Sequence, residues 1–423
     1  MNNIPKINLE RVLIVGGGFA GLKLALELDH DKYQVVLIDK NNYHQFQPLF
    51  YQVATAGLEP SAISFPFRKI FHKVKNFHFR MAKALKIVAN ENKVNTDIGD
   101  IAYDHLVLAM GADTNYFGNK EIEATTMPMK TTSEALYIRN TIIQNYENAV
   151  NCKDDNEQDV LLDIVVVGGG PTGVEVSGAL AEMKTHILPK DYPEIDFTKM
   201  QIYLIDGSDR LLSGMSPDSS QKAKEYLEKL GVIIKQNDYV ADFKDKKVVL
   251  KSGASISSNN VIWAAGIIPN IIEGLDAEKY NKGKRLIVDK QNKVTGYKNI
   301  YALGDNASME DDANPRGHAQ VAGVAQQQAM NLAYNLNNGT SRPFKYNDKG
   351  SMATIGRNLA VVELPFLKLQ GIIAWFIWMF VHLMLILGVK NRLLIFINWA
   401  WSYLTFDQSL RLLIKPVNRK IDK

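Results

Sequence analysis

VVVGGGPTGVE, residues 165–175, repeats a pattern already present in VLIVGGGFAG at residues 12–21. In each copy a run of strand-forming apolar residues ends in clustered glycines, and a helix-forming segment follows. Gly16, Gly18 and Gly21 of the first copy match Gly168, Gly170 and Gly173 of the second. The first glycine of each set permits a tight turn, the second lets backbone approach a phosphate, and the third lets helix pack close to strand. A helix start of this kind offers free N–H groups and a partial positive charge, which suit a pyrophosphate. Each copy therefore reads as a dinucleotide site, with Phe19 and Ala20 inside the first turn and Pro171 and Thr172 inside the second.

The likeness extends well beyond the glycines. QVVLID (34–39), a hairpin-forming stretch (81–96) and VLAMGAD (107–113) follow the first copy; QIYLID (201–206), a second hairpin (239–253) and VIWAAGI (261–267) follow the other. From Gly16 to Gly111 is 95 residues, and from Gly168 to Gly266 is 98. A duplicated nucleotide-binding α/β unit accounts for this spacing. Asp39 and Asp206 each close a second strand, where a carboxylate accepts bonds from a ribose diol. At Asp206 the acid also repels a 2′-phosphate, favouring NADH over NADPH, with Arg210 close enough to blur the preference. The polar stretch 151–159 reads as a boundary before the second unit. A third signal, IYALGDNAS (300–308), ends a strand at Gly304 and Asp305, where an acid suits the ribityl and phosphate part of a flavin.

Composition narrows the class. The 423 residues are 46% apolar and carry a net charge of +4, too mild to argue for nucleic acid. A polar start running straight into a strand predicts no secretory signal. The single cysteine, Cys152, makes an internal disulfide impossible and fits a reducing compartment. His44, His186 and His318 are not clustered with other ligands in sequence, so no metal site is expected.

Together these stretches resemble the type II NADH:quinone oxidoreductases, two-dinucleotide flavoproteins also called alternative NADH dehydrogenases. The resemblance spans nearly the whole chain. It rests on GGGFAG, NNYHQFQPLFYQVATAGL (41–58), GGGPTGVE, the AxG ends at 109–111 and 264–266, ALGD, VAGVAQQQ (321–328), SMATIGRNLAV (351–361) and GVKNRLLIFINWAWSYLTFD (388–407). It implies an α/β fold of two Rossmann-like, glutathione-reductase-like domains plus a membrane-associating helical C-terminus. The expected division is 1–118 and 296–345 for FAD, 119–295 for NADH and 346–423 for the anchor. It also implies non-covalent FAD contacts from Lys40, Gln47, Pro48, Ala109, Gly111, Gly304, Asp305 and Ala322, and NADH contacts from Ala265 and Gly266. Glu175 would face the nicotinamide and flavin as a proton-handling residue.

The quinone motif of the family, AQxAxQ, appears here as Ala322-Gly323-Val324-Ala325-Gln326-Gln327, with glycine at its first glutamine. Gln320, one turn earlier, reaches toward the same region, so Gln320, Gln326 and Gln327 are the quinone candidates, with Gln327 catalytic. Residues 326–328 also suit a solvated helix face. A lone cysteine excludes the dithiol relay of disulfide reductases and of sulfide-directed relatives. Two other readings stay open: another pyridine-nucleotide flavoreductase, and a signalling flavoprotein of the apoptosis-inducing-factor kind.

Residues 371–389 form a 19-residue apolar run interrupted only by His382. One helix of that length would measure about 28 Å, near the hydrocarbon thickness. Lys390, Arg392, Arg411, Lys415, Arg419, Lys420 and Lys423 follow it, which opposes a single crossing from the cytoplasm. A pair of helices lying in one leaflet at the cytoplasmic face of the inner membrane, with cations on anionic headgroups, satisfies both features. Such a face also suits a homodimer.

Overall fold

The computed structural model describes residues 3–311, 314–406 and 410–414. Chain contacts divide it into two units. Unit 1 comprises residues 1–45, 65–113 and 267–349; unit 2 comprises 46–64, 114–266 and 350–423. Six helices matter below: α1 (Phe19–Glu27), α2 (Phe50–Ala54), α3 (Pro171–His186), α4 (Ala322–Asn338), α5 (Gly371–Leu385) and α6 (Val389–Thr405).

Unit 1 is built on a parallel five-stranded sheet. Its order is Ile300–Ala302, His105–Leu108, Glu10–Val15, Tyr33–Asp39, Phe77–Met81. Val12 to Val15 and Val35 to Ile38 are buried, as expected of strands covered on both faces. The stretch 81–96 supplies two strands of a small antiparallel sheet, Ala84–Val88 and Lys93–Thr96. Unit 2 repeats the plan with Met127–Pro128, Asn260–Trp263, Ile164–Val167, Ile202–Ile205 and Val232–Lys235. Its own antiparallel sheet begins with Val240–Lys244 and Lys247–Leu250. In both sheets the glycine turn leaves the central strand where the order reverses, the place where open α/β sheets bind nucleotides.

Two sequence expectations change. The polar stretch 151–159 marks no boundary; it turns between two helices inside unit 2. Its acids serve the second of these helices, where the Asp154 side chain accepts the Glu157 N–H at 2.9 Å and caps the start. The apolar run 371–389 is not one helix. α5 stops at Leu385, after about 22 Å, and α6 starts at Val389 beyond Gly388, whose φ is +80°. Arg392 holds the break: its Nε donates to the Ile386 carbonyl at 2.8 Å and its Nη2 to that of Met384 at 2.9 Å. Carbonyls left free by the end of α5 are thus satisfied. Among the described residues no helix is long and apolar enough to cross a membrane.

α5 and α6 carry apolar side chains on both their inner and their outer faces. Ala374, Trp378 and His382, at i, i+4 and i+8, turn inward; Ile395 and Trp399 do the same on α6. Ile373, Phe376, Phe380, Phe396, Ile397, Trp401 and Leu404 all face outward. Phe366, in the turn before the last strand, is 95% exposed.

Candidate functional site

The two glycine turns are built alike. Gly16 has φ +100° and Gly168 has φ +112°, a region that favours glycine. A Cβ at either would collide with a backbone carbonyl, that of Ala109 or of Ala264. Ala109 and the 264–266 segment are therefore brought against their turns. Gly21 and Gly173 pack so tightly on the carbonyls of Gly16 and Gly168 that no side chain fits. Gly18 and Gly170, by contrast, face open space, with nothing within 4 Å of a hypothetical Cβ. Each precedes a helix, α1 or α3, whose first N–H groups lack intrahelical partners.

The acids do something the sequence did not announce. Asp39 accepts the Gly17 N–H at 2.7 Å on one oxygen and the Asn41 N–H at 2.7 Å on the other. Asp206 likewise accepts the Gly169 N–H and, at 2.6 Å, the Ser208 N–H. Both carboxylates hold their glycine turns in shape, and each oxygen keeps a lone pair for a ribose hydroxyl. Burial raises the Asp39 carboxyl from its ordinary value, the two N–H donors opposing the shift. Replacing Asp206 by Ala is expected to weaken NADH binding about tenfold, the worth of one charge-assisted hydrogen bond. It should also narrow the preference for NADH over NADPH; the KM values of both nucleotides check this, and an unchanged ratio would count against the role. Arg210 is tied to the Ser213 carbonyl at 2.9 Å.

In unit 1 His44 stabilises the first turn. Its Nδ1–H donates to the Gly17 carbonyl at 2.9 Å, and burial pushes its pKa down to about 4, keeping the ring neutral. Gly304 and Asp305 lie in a short 3-10 turn that rests on α4: the Gly304 N–H donates to Gln328 Oε1 at 2.8 Å. Gln328 is fully buried and so does not belong to a solvated face, while Gln326 and Gln327 are half-buried. Asn306 bonds both the N–H and the carbonyl of Gly111, at 2.9 and 3.2 Å, joining the two loops. Gln320 reaches the Asp305 carbonyl at 3.2 Å. Gln327 is engaged twice by the Asn347 backbone, at 2.9 Å each way, while Gln326 is half-buried. Ala322 opens α4 and Lys40 is exposed beside Asp39. Gln47 and Pro48 form a 3-10 turn at the start of the 46–64 segment of unit 2, seven residues after Lys40.

Glu175 sits on α3 in the second turn, past the unpaired N–H groups that open the helix, so the helix start does not account for it. It is 8% exposed. The backbone N–H of Thr354 and the indole N–H of Trp378 both face its carboxyl and favour the charged form. Burial outweighs these and pushes its pKa up to about 8. Tyr51 faces it from α2, its hydroxyl oxygen accepting from Gln52 at 2.8 Å; Gln52 in turn accepts the Trp399 N–H at 2.8 Å. None of Tyr51, Gln52, Trp378 or Thr354 was singled out from sequence, because each is brought to Glu175 by the fold.

The comparisons with known proteins agree with this construction. Residues 10–329 match the pyridine nucleotide-disulphide oxidoreductase family model, and residues 349–406 match that of the NDH2 C-terminal domain. The chain is 32% identical to the type II NADH:quinone oxidoreductase Ndh of Mycobacterium tuberculosis, covering 93% of this chain and 88% of that protein. NdhA of the same organism is also 32% identical, over 93% and 87%. In fold it resembles NDH2 from Plasmodium falciparum in complex with NADH, with a TM-score of 0.88 at 23% identity over 96% of this chain and all of that one. The sulfide:quinone oxidoreductase of Aquifex aeolicus follows at 0.73, with 20% identity over 90% and 92%. With its duplicated acid-held glycine turns and its matching C-terminal segment, the chain belongs to the type II NADH:quinone oxidoreductase family.

Proposed function

We propose that the protein oxidises NADH and reduces a membrane quinone by two electrons through a non-covalently held FAD, without pumping protons. The observation that carries this reading is the pair of acid-held turns whose Gly18 and Gly170 each face open space at a helix start. The residues fit FAD in unit 1: the Gly18 turn offers room and N–H donors to a pyrophosphate, Asp39 suits the ribose, and Gly304–Asp305 suits the ribityl chain. When bound, the flavin supplies the two-electron redox chemistry that no side chain here can. In unit 2 the Gly170 turn and Asp206 hold NADH as a substrate, with Ala265 and Gly266 beside the turn. Glu175 holds a proton at its carboxyl group for quinone reduction, and Gln320, Gln326 and Gln327 belong to the quinone side.

The test is the spectrum of the purified protein. A yellow preparation is expected to bleach with NADH under anaerobic conditions and to regain its colour when a soluble quinone is added. A colourless protein that FAD does not reconstitute would end the proposal. Slow bleaching that quinone cannot reverse would favour the signalling reading instead.

The reading places the protein at the cytoplasmic face of a membrane, held by the outer faces of α5 and α6, with a homodimer sharing the same surface. Truncation near residue 365 is a poor test, because it would also strip Trp378 and Trp399 from the interior of unit 2. Changing Phe376, Phe380, Phe396 and Trp401 to Ser leaves that interior intact. Each large side chain contributes about 1.5–3 kcal/mol when buried, so the fourfold variant is expected to lose more than 100-fold in vesicle binding while staying yellow. Co-sedimentation with anionic vesicles measures this; unchanged pelleting would refute the anchor. Of the basic residues after α5, Arg392 caps the helix and Arg411 pairs with Asp191. Lys390 remains for headgroups, and Lys415, Arg419, Lys420 and Lys423 lie outside the described residues.

A further inference from the structure

The strand order of unit 2 decides which way a dinucleotide extends from its glycine turn. Ile164–Val167 is the central strand, and the turn that follows it suits the pyrophosphate. On one side lies Ile202–Ile205, closed by Asp206, which suits the adenosine ribose. On the other side lies Asn260–Trp263, which runs on into Ala264–Gly266. A dinucleotide spans the crevice where the strand order reverses, so its nicotinamide half is left with this second side. Gly168 packs directly against Ala264 and Ala265, so that side begins at the turn itself.

Phe117 stands there. A Cβ built on Gly266 would lie 3.5 Å from the tip of its ring, yet the residue is 69% exposed. Its φ is +52°, a region that is unfavourable for a bulky side chain. Such a conformation persists only where the surroundings over-determine it, and Asn115 supplies that constraint with three groups. Its side-chain oxygen accepts the Phe117 N–H at 2.9 Å, its own N–H donates to the Gly266 carbonyl at 3.0 Å, and its carbonyl accepts the indole N–H of Trp263 at 2.9 Å. On the far side of the ring the Asn119 N–H donates to the Tyr116 carbonyl at 2.9 Å, and the Asn119 side chain caps the helix Lys120–Thr125. Tyr116 stacks on Trp263. The turn is thereby fastened to the end of the Asn260–Trp263 strand.

This arrangement is unfavourable to the folded chain in two ways, through backbone strain and through an apolar ring left in water. Core packing offsets neither, because most of the ring touches no protein. A ligand that covers the ring would.

We propose that Phe117 is a wall of the substrate site, its ring packing on the nicotinamide half of NADH; the inference rests on the assignment of NADH to this turn made above. A flat heterocycle gains both apolar contact and stacking on such a face. The Asn115 clamp holds the ring in place before the ligand arrives, so little freedom is lost on binding. The adenosine half is held from the Asp206 side and gains nothing from Phe117.

The full-length, FAD-loaded protein tests this through a substitution that spares the fold. Glycine adopts φ +52° without strain, so Phe117→Gly removes the ring and leaves the backbone in place; its Tm is expected to match or exceed that of the wild type. Half-saturation of anaerobic bleaching should need at least about tenfold more NADH, the order of effect when a base loses an aromatic stacking partner. ADP carries the adenosine and pyrophosphate without the nicotinamide, and its Kd by calorimetry should not change. Phe117→Tyr keeps the ring and should keep both values. Wild-type half-saturation in Phe117→Gly would overturn the wall. So would equal weakening of NADH and ADP, since that pattern marks a part of the fold rather than a contact with the nicotinamide half. If NADH fails to bleach even the unmodified protein, the reaction reading fails, and calorimetric titration of wild type and Phe117→Gly with NADH and ADP still tests the wall by itself.

Discussion

Replacing Glu175 by Gln is expected to slow quinone reduction at least about 100-fold, the lower bound for losing a positioned proton donor, while bleaching by NADH persists. Below pH 8 the wild-type carboxyl is protonated, because burial raises its pKa to about 8. Quinone reduction should therefore be level below that pH and fall above it, and the Gln variant should lack that limb. Stability should also fall with rising pH, but over a lower range. Unfolded, this carboxyl titrates near its ordinary value, about 4.3; folded, it keeps its proton to about 8. Between those values the folded state binds a proton that the unfolded state has lost, so stability falls as pH rises, by up to about 1.4 kcal/mol per unit. The contribution is whole below the unfolded pKa and gone above the folded one. Gln does not titrate, so the apparent Tm of the variant, relative to wild type, should climb between pH 5 and pH 8. A difference in Tm that is the same at both pH values would mean that the Glu175 carboxyl is not held neutral.

Legibility from sequence followed the distance between cause and effect along the chain. The two sheets, the glycine turns and the small antiparallel sheets were readable because each rests on a local pattern, repeated at nearly equal intervals. Asp39 and Asp206 were found, but their grip on Gly17 and Gly169 was not, since a strand-end acid aims equally well at a ribose or at a neighbouring N–H. Around Glu175 almost nothing was visible. Its surroundings come from residues 51, 354, 378 and 399, and no spacing rule links those numbers. Gly178 is a similar case: its need for glycine comes from the carbonyl of Ile355, well over a hundred residues away. A pair of helices was expected, but the break between them falls at 386–388 rather than after residue 389, because hydropathy has no notch there. Its signals are conformational, a glycine at positive φ and an arginine four residues on that turns back to cap the helix. Gln328 looked like a surface glutamine because its partner, the Gly304 N–H, belongs to another loop.

The assignment of one turn to each nucleotide yields a paired expectation. Gly170 has φ −73° and ψ −178°, which any residue adopts, and a Cβ there meets nothing. Gly170→Trp should therefore fold, stay yellow and fill the space facing the first N–H groups of α3. The KM for NADH is expected to rise at least about 100-fold, equivalent to about 2.7 kcal/mol, and bleaching at ordinary NADH concentrations to vanish. Gly18 has the same freedom, with φ −68° and ψ −160°, and faces equally open space. Gly18→Trp should instead give a folded but colourless protein. Gly173→Ala differs from both, because its methyl group collides with the Gly168 carbonyl. Crowding of that kind costs about 1–3 kcal/mol, so this variant should lose Tm whichever nucleotide is present. Absorbance of the purified variants, followed by stopped-flow bleaching with NADH, separates the three. If Gly170→Trp came out colourless and Gly18→Trp stayed yellow, the two turns would have exchanged ligands, and the electron path would have to be drawn in the other direction.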